Sequence, residues 1–89
     1  MRVRVAYSKE YQSVRNRLDS LARRALQEVE DGIADDPEVG PYRQQIGEWI
    51  FDYHALQGDL IVRYRWLNDE AIEFSGLKDM RNPDLYSGG

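Results

Sequence analysis

The chain changes its hydrophobic period near its middle, and this limits the folds open to it. Up to Ile33, apolar residues recur at Tyr11, Val14, Leu18, Leu21, Ala25, Val29 and Ile33, each three or four residues after the last. Side chains so spaced share one face of a helix. The stretch DDPEVGP then gathers turn formers around Pro37 and Pro41. From Gly47 the period becomes two, which predicts strands over 49–56, 60–67 and 71–76. Before the helix, Val3, Val5 and Tyr7 alternate with Arg2, Arg4 and Ala6, as in a half-buried strand. Ser8 offers a helix N-cap, and Asp19-Ser20 offers a second cap after Leu18. One long helix and a helical pair both fit these residues. The expected fold class is α+β: a small antiparallel sheet, β-α(α)-β-β-β, with one or two N-terminal amphipathic helices packed on one face.

With 89 residues the chain makes one domain, expected over 1–86, with 87–89 as a disordered tail. It has no cysteine, hence no disulfide framework and no thiolate metal site, which suits a reducing compartment. No apolar run approaches the ~20 residues of a membrane helix, and the N-terminus lacks the apolar core of a secretion signal. A cytoplasmic protein that does not engage membranes is expected. The net charge of −4 is uneven. Residues 1–27 hold seven bases and two acids, whereas 28–38 hold six acids and no base. A basic footprint for polyphosphate is therefore confined to the first third. Neither a Ca²⁺-loop spacing, a phosphate-binding glycine loop, a GxSxG elbow nor a zinc motif occurs, so no metal and no cofactor are expected.

The stretch DLIVRYRW, 59–66, reads as a strand with Arg63 and Arg65 on one face. If Gln57-Gly58 is a two-residue hairpin turn, the register follows by counting outward. Phe51 then opposes Tyr64 and Tyr53 opposes Val62, an apolar face that also takes in Trp49 and Trp66. On the other face Asp52 opposes Arg63, Ile50 opposes Arg65 and His54 opposes Ile61. Across 68–70 the same counting sets Ile72 opposite Trp66, Phe74 opposite Tyr64 and Glu73 opposite Arg65.

This order of elements resembles the RelE/ParE superfamily of bacterial toxin–antitoxin toxins over essentially the whole chain. The resemblance is carried by VRVAYSKEY at the N-terminus, by QGDLIVRYRW, and by GLKDMRNPDLY, where a glycine closes the last strand before a basic turn and a terminal tyrosine. It implies a toxin neutralised by a cognate antitoxin protein. Such a toxin acts either as a ribosome-dependent endoribonuclease on mRNA or as an inhibitor of DNA gyrase. Arg63 matches the family's strand arginine and Tyr86 its terminal tyrosine, while Lys78 or Arg81 supplies the basic residue of the preceding turn. Asp52 and His54 stand where the nuclease branch often has lysines, and a carboxylate there would repel the scissile phosphate.

Metal-independent RNA cleavage needs a base for the 2′-hydroxyl, an acid for the leaving 5′-oxygen, and cations for the phosphorane. Arg63 and Arg65 suit the last role, because a guanidinium grips phosphate in two places. Tyr86 and His54 are the candidate proton carriers, an imidazole titrating ordinarily near ~6.5. Arg65, Lys78 and Arg81 are the candidate RNA-binding groups. The plainer alternative is that Arg63–Asp52 and Arg65–Glu73 are cross-strand ion pairs on a solvated sheet, each contributing roughly 0.2–1 kcal/mol. A non-catalytic binding module of the same fold would follow. Arg15, Arg17, Arg23 and Arg24 are expected on the solvated side of the helix.

Overall fold

The computed structural model describes residues 2–38, 43–55 and 59–80, with the side chains at 54, 55 and 59 outside the description. A short strand β1 (Arg4–Tyr7) leads into two helices, α1 (Lys9–Arg17) and α2 (Ser20–Asp35). Then follow β2 (Arg43–Ile46), β3 (Trp49–Ala55), β4 (Asp59–Asn68) and β5 (Ala71–Asp79). Among the described residues the strands form one sheet in the order β1-β5-β4-β3-β2. The pairings are antiparallel except for β1, which runs parallel to β5. The α+β class and the helices packed on one sheet face are as expected. No helix among the described residues is long and apolar enough to cross a membrane.

The helical segment divides at Leu18. The Ser8 hydroxyl accepts from the Tyr11 amide at 3.1 Å and caps α1. The Asp19 carboxylate accepts from the Ala22 amide at 2.7 Å and caps α2. Between them Leu18 adopts an extended backbone, and Arg23 donates to the carbonyls of Asn16 and Leu18 at the end of α1. The break resets the helical phase. Thus α2 buries Ala22, Leu26, Val29 and Ile33, whereas Leu21 is 48% exposed. These residues meet Ile50, Val62, Tyr64, Ile72 and Phe74 in one core, with Tyr11 and Val14 from α1. Fully burying an aliphatic or aromatic side chain of this kind contributes about 1.5–3 kcal/mol.

The β4–β5 register is the expected one, with Tyr64 on Phe74, Arg65 on Glu73 and Trp66 on Ile72. The β3–β4 register is not. Ala55 pairs with Asp59, so three residues rather than two separate the paired ends. That single residue exchanges the two faces of β3. Ile50 now pairs with Tyr64 and is buried, while Tyr53 is 52% exposed and Phe51 half-buried. Asp52 pairs with Val62 instead of Arg63 and turns to the helix side, where Arg43 binds it at 3.0 Å. Arg43 also donates to the carbonyls of Asp36 and Glu38.

Two further differences concern strand extent. Residues 43–46 form β2 on β3, joined through Gly47-Glu48, with Gly47 at φ 63° in the position glycine favours in tight hairpins. Strand β5 runs past Gly76 to Asp79, so Lys78 lies in a strand rather than in a turn. A bulge at Ser75 allows this: Tyr64 pairs with Phe74, yet Arg63 pairs with Gly76.

Candidate functional site

The sheet face turned away from the helices collects the chemistry. Strand β3 presents Trp49, Phe51 and Tyr53 there, and β4 presents Ile61, Arg63 and Arg65. Trp49 is the hub. The Arg63 guanidinium carbon lies 4.2 Å from its ring centroid and that of Arg65 5.2 Å, both within the ~6 Å of a cation–π contact. Arg63 also donates to the Ser75 carbonyl at 3.4 Å. Arg65 pairs with Glu73 at 3.4 Å and with Glu48 at 3.7 Å. Partly exposed pairs of this kind contribute only about 0–1 kcal/mol, so a phosphate could compete for the same guanidinium. Beside the arginines the Phe51 and Tyr53 rings lie 6.5 Å apart and tilted by 26°. Flat rings next to guanidinium groups can stack bases and hold phosphates, the pairing of contacts that single-stranded nucleic acid requires.

Arg63 and Arg65 are thus brought together, over one indole. Lys78 pairs with Ile61 and joins the same face two positions along β5 from Gly76. His54 lies in β3 paired with Leu60 rather than Ile61, and its side chain is outside the description. Arg81, Tyr86 and the tail 87–89 lie outside the described residues. Trp49, Phe51 and Tyr53, expected in the core, line the open face instead, because β3 is turned over. Trp66, also expected inside, is 38% exposed although its partner Ile72 is buried. The sequence signal for an aromatic face was present in the alternation of Trp49, Phe51 and Tyr53. Only the loop length assigned it to the wrong side.

A second cluster lies between the helices. Glu30 is buried, accepts the Tyr11 hydroxyl at 2.8 Å, and receives Nε and Nη2 of Arg15 at 3.1 Å each. Arg15 therefore ties α1 to α2, correcting its expected place on the solvated side. Burial, reinforced by the charge of Glu30, pushes the Tyr11 phenol far above its ordinary pKa. The hydrogen bond to Glu30 raises that of Arg15 further, so both donors keep their protons. Other bases of the first third form exposed ion pairs: Arg2 with Asp31 and Asp35, Arg4 with Glu70. Among the described residues no cluster of three or more His, Cys, Asp or Glu side chains is placed to hold a metal ion.

No family model, no curated protein and no solved structure matches the chain.

Proposed function

We propose that this chain is the toxin of a type II toxin–antitoxin pair of the RelE/ParE kind. In this reading it is a ribosome-dependent, metal-independent endoribonuclease that cuts mRNA and halts translation in the cytoplasm. The observation that carries the reading is the direction of Asp52. The carboxylate expected directly opposite Arg63 is turned to the helix side and bound by Arg43. In its place Phe51 shares the open face with Arg63. The order of elements supports the family: one strand, a helical segment of two helices ending before Pro37, and an antiparallel meander whose arginines leave the core.

The roles follow from the chemistry. Arg63 grips the scissile phosphate in two places and stays charged throughout. Arg65 joins it by releasing Glu73 and Glu48, Lys78 on the same face adds a further cation, and Arg81 is assigned to RNA binding by the resemblance alone. Tyr86 is the group to move protons at the 2′- and 5′-oxygens, because the register gives His54 the strand parity of Asp52 and not that of Phe51, which corrects its expected place beside Arg63. A cognate antitoxin neutralises the toxin by engaging these groups.

Induced expression with and without the antitoxin, followed by mapping of mRNA ends, tests this directly. Growth arrest with cut transcripts, lifted by Arg63→Ala, is the expected result. The double pairing of Arg65 to Glu73 and Glu48 favours a second reading, in which the arginines are structural and the toxin inhibits DNA gyrase. Arrest with intact transcripts and a DNA-damage response would decide for it. Growth without arrest would leave a binding module and no toxin.

A further inference from the structure

Resting on the open-face reading, we propose that Trp49 and Gly76 are positioning residues that form a slot for the Arg63 guanidinium. An arginine on a sheet has several rotatable bonds, and an unplaced one loses binding energy to ordering when it meets a phosphate. Arg63 is already placed. Trp49 lies against its guanidinium carbon at 4.2 Å. On the opposite strand, Gly76 leaves the space the side chain crosses. A Cβ built at Gly76 would stand 3.0 Å from Arg63 Nε, 3.2 Å from its Cβ and 3.3 Å from its Cζ.

The second of those contacts decides the matter. Nε and Cζ can swing aside, but the Arg63 Cβ is fixed by the strand backbone. With the Arg63 Cβ unable to retreat, a Cβ at 76 requires Nε and Cζ to give by a few tenths of an ångström, which shifts the guanidinium on the indole. The bulge at Ser75 completes the slot, since it is what brings Gly76 into register with Arg63. It also offers the Ser75 carbonyl to Nη2 at 3.4 Å. Gly76 is thus needed for what it lacks, and not as a strand terminator. Trp49 touches Arg65 as well, so Gly76→Ala is the sharper probe.

The test uses the full chain and a fluorescent, non-cleavable 2′-O-methyl RNA oligonucleotide, with affinity read by anisotropy. Gly76→Ala and Trp49→Leu are each expected to weaken binding by about three- to thirty-fold, the range of a cation–π contact. Trp49→Phe keeps a ring and should restore most of the loss. Gly76→Ala should not weaken binding further when Arg63→Ala is already present, because both act through one group, whereas Trp49→Leu keeps the smaller part of its loss that runs through Arg65. The Arg63 Nε–H resonance, shifted by the indole ring in the native chain, should move in Gly76→Ala while the backbone spectrum stays native.

Other outcomes separate the ideas. Native affinity in Gly76→Ala and Trp49→Leu, with Arg63→Ala weakened, would overturn the slot and leave the open face standing. Fully additive losses in Gly76→Ala with Arg63→Ala would overturn positioning, since Gly76 would then act on RNA binding without Arg63. Binding indifferent to Arg63→Ala would overturn the open-face reading and the slot's role with it. An unfolded Gly76→Ala transfers the decision to Trp49→Leu and Trp49→Phe.

Discussion

Replacing Arg15 by methionine is expected to cost about 3–5 kcal/mol, as breaking a buried ion pair does. The Glu30 side chain is only 3% exposed, against 23% for Arg15. Removal of the guanidinium deletes contacts at 3.1–3.3 Å and leaves the carboxylate with the Tyr11 hydroxyl alone. Methionine retains the apolar stem that covers the helix junction, so the measured loss reports the charge. At roughly 0.05–0.15 kcal/mol per residue, a chain of this length has a total stability of about 4–13 kcal/mol. The variant therefore gives up about a quarter or more of it, and its Tm should fall by at least ~12 °C. Urea unfolding followed by tryptophan fluorescence and far-UV circular dichroism measures the change directly. Tyr11→Phe, Arg15→Met and Glu30→Leu together remove every member of the network and should recover most of the loss. A cost below ~1 kcal/mol for Arg15→Met alone would refute the reasoning, because that is how a solvated pair behaves.

Three other outcomes follow from the same geometry. Burial pushes the phenol of Tyr11 far up and that of Tyr64 up to about 12, whereas the unfolded chain loses these protons near ~10. The stabilisation is complete below pH ~10 and is lost as pH rises beyond it, by about 1.4 kcal/mol per pH unit for Tyr11. Tyr11→Phe should thus give a shallower alkaline unfolding curve, and an unchanged slope would count against it. Asp52→Ala removes the partly buried pair with Arg43 and should cost about 1–3 kcal/mol. It should also speed hydrogen exchange in β2, so unaltered protection of that strand would show that the pair does not hold it. Asp19→Ala removes the cap of α2 and should lower stability by about 0.5–2 kcal/mol in urea. A gain instead would mean that the two helices prefer to merge.

Much of the fold is legible because several local signals agree. Ser8 and Asp19 both cap helices, as their short oxygen-bearing side chains suggest. Alternation in 60–66 and 71–74 marks β4 and β5 together with their mutual register, since the connecting turn is short and both strands have one strongly apolar face. The parts that stay hidden have physical causes. Leu21 misleads because a helix break at Leu18 shifts the phase, and only the cap geometry reveals by how much. The sequence RQQI carries no apolar alternation, and as an edge strand β2 needs none. Glu30 and Arg15 read as solvated charges because each is polar at its own position; their pairing depends on how the helices cross.

The direction of β3 is the deepest case, because the same turn of the strand sets both the unexpected register and the make-up of the open face. Its residues alternate bulky with polar or bulky side chains on both faces: Trp49, Phe51 and Tyr53 on one, Ile50 and Asp52 on the other. By hydrophobicity the aromatic set belongs inside, yet Ile50 is buried and Tyr53 is half in solvent. Arg43 resolves the conflict. A carboxylate on the helix side is tolerable only when paired, and β2 supplies the partner at 3.0 Å. With Asp52 satisfied on that side, the aromatic residues are left to the face that holds Arg63 and Arg65. A core optimised for burial alone would place the larger rings inward. Their outward placement, beside two guanidinium groups stacked on one of them, departs from that rule on the face for which RNA binding is proposed.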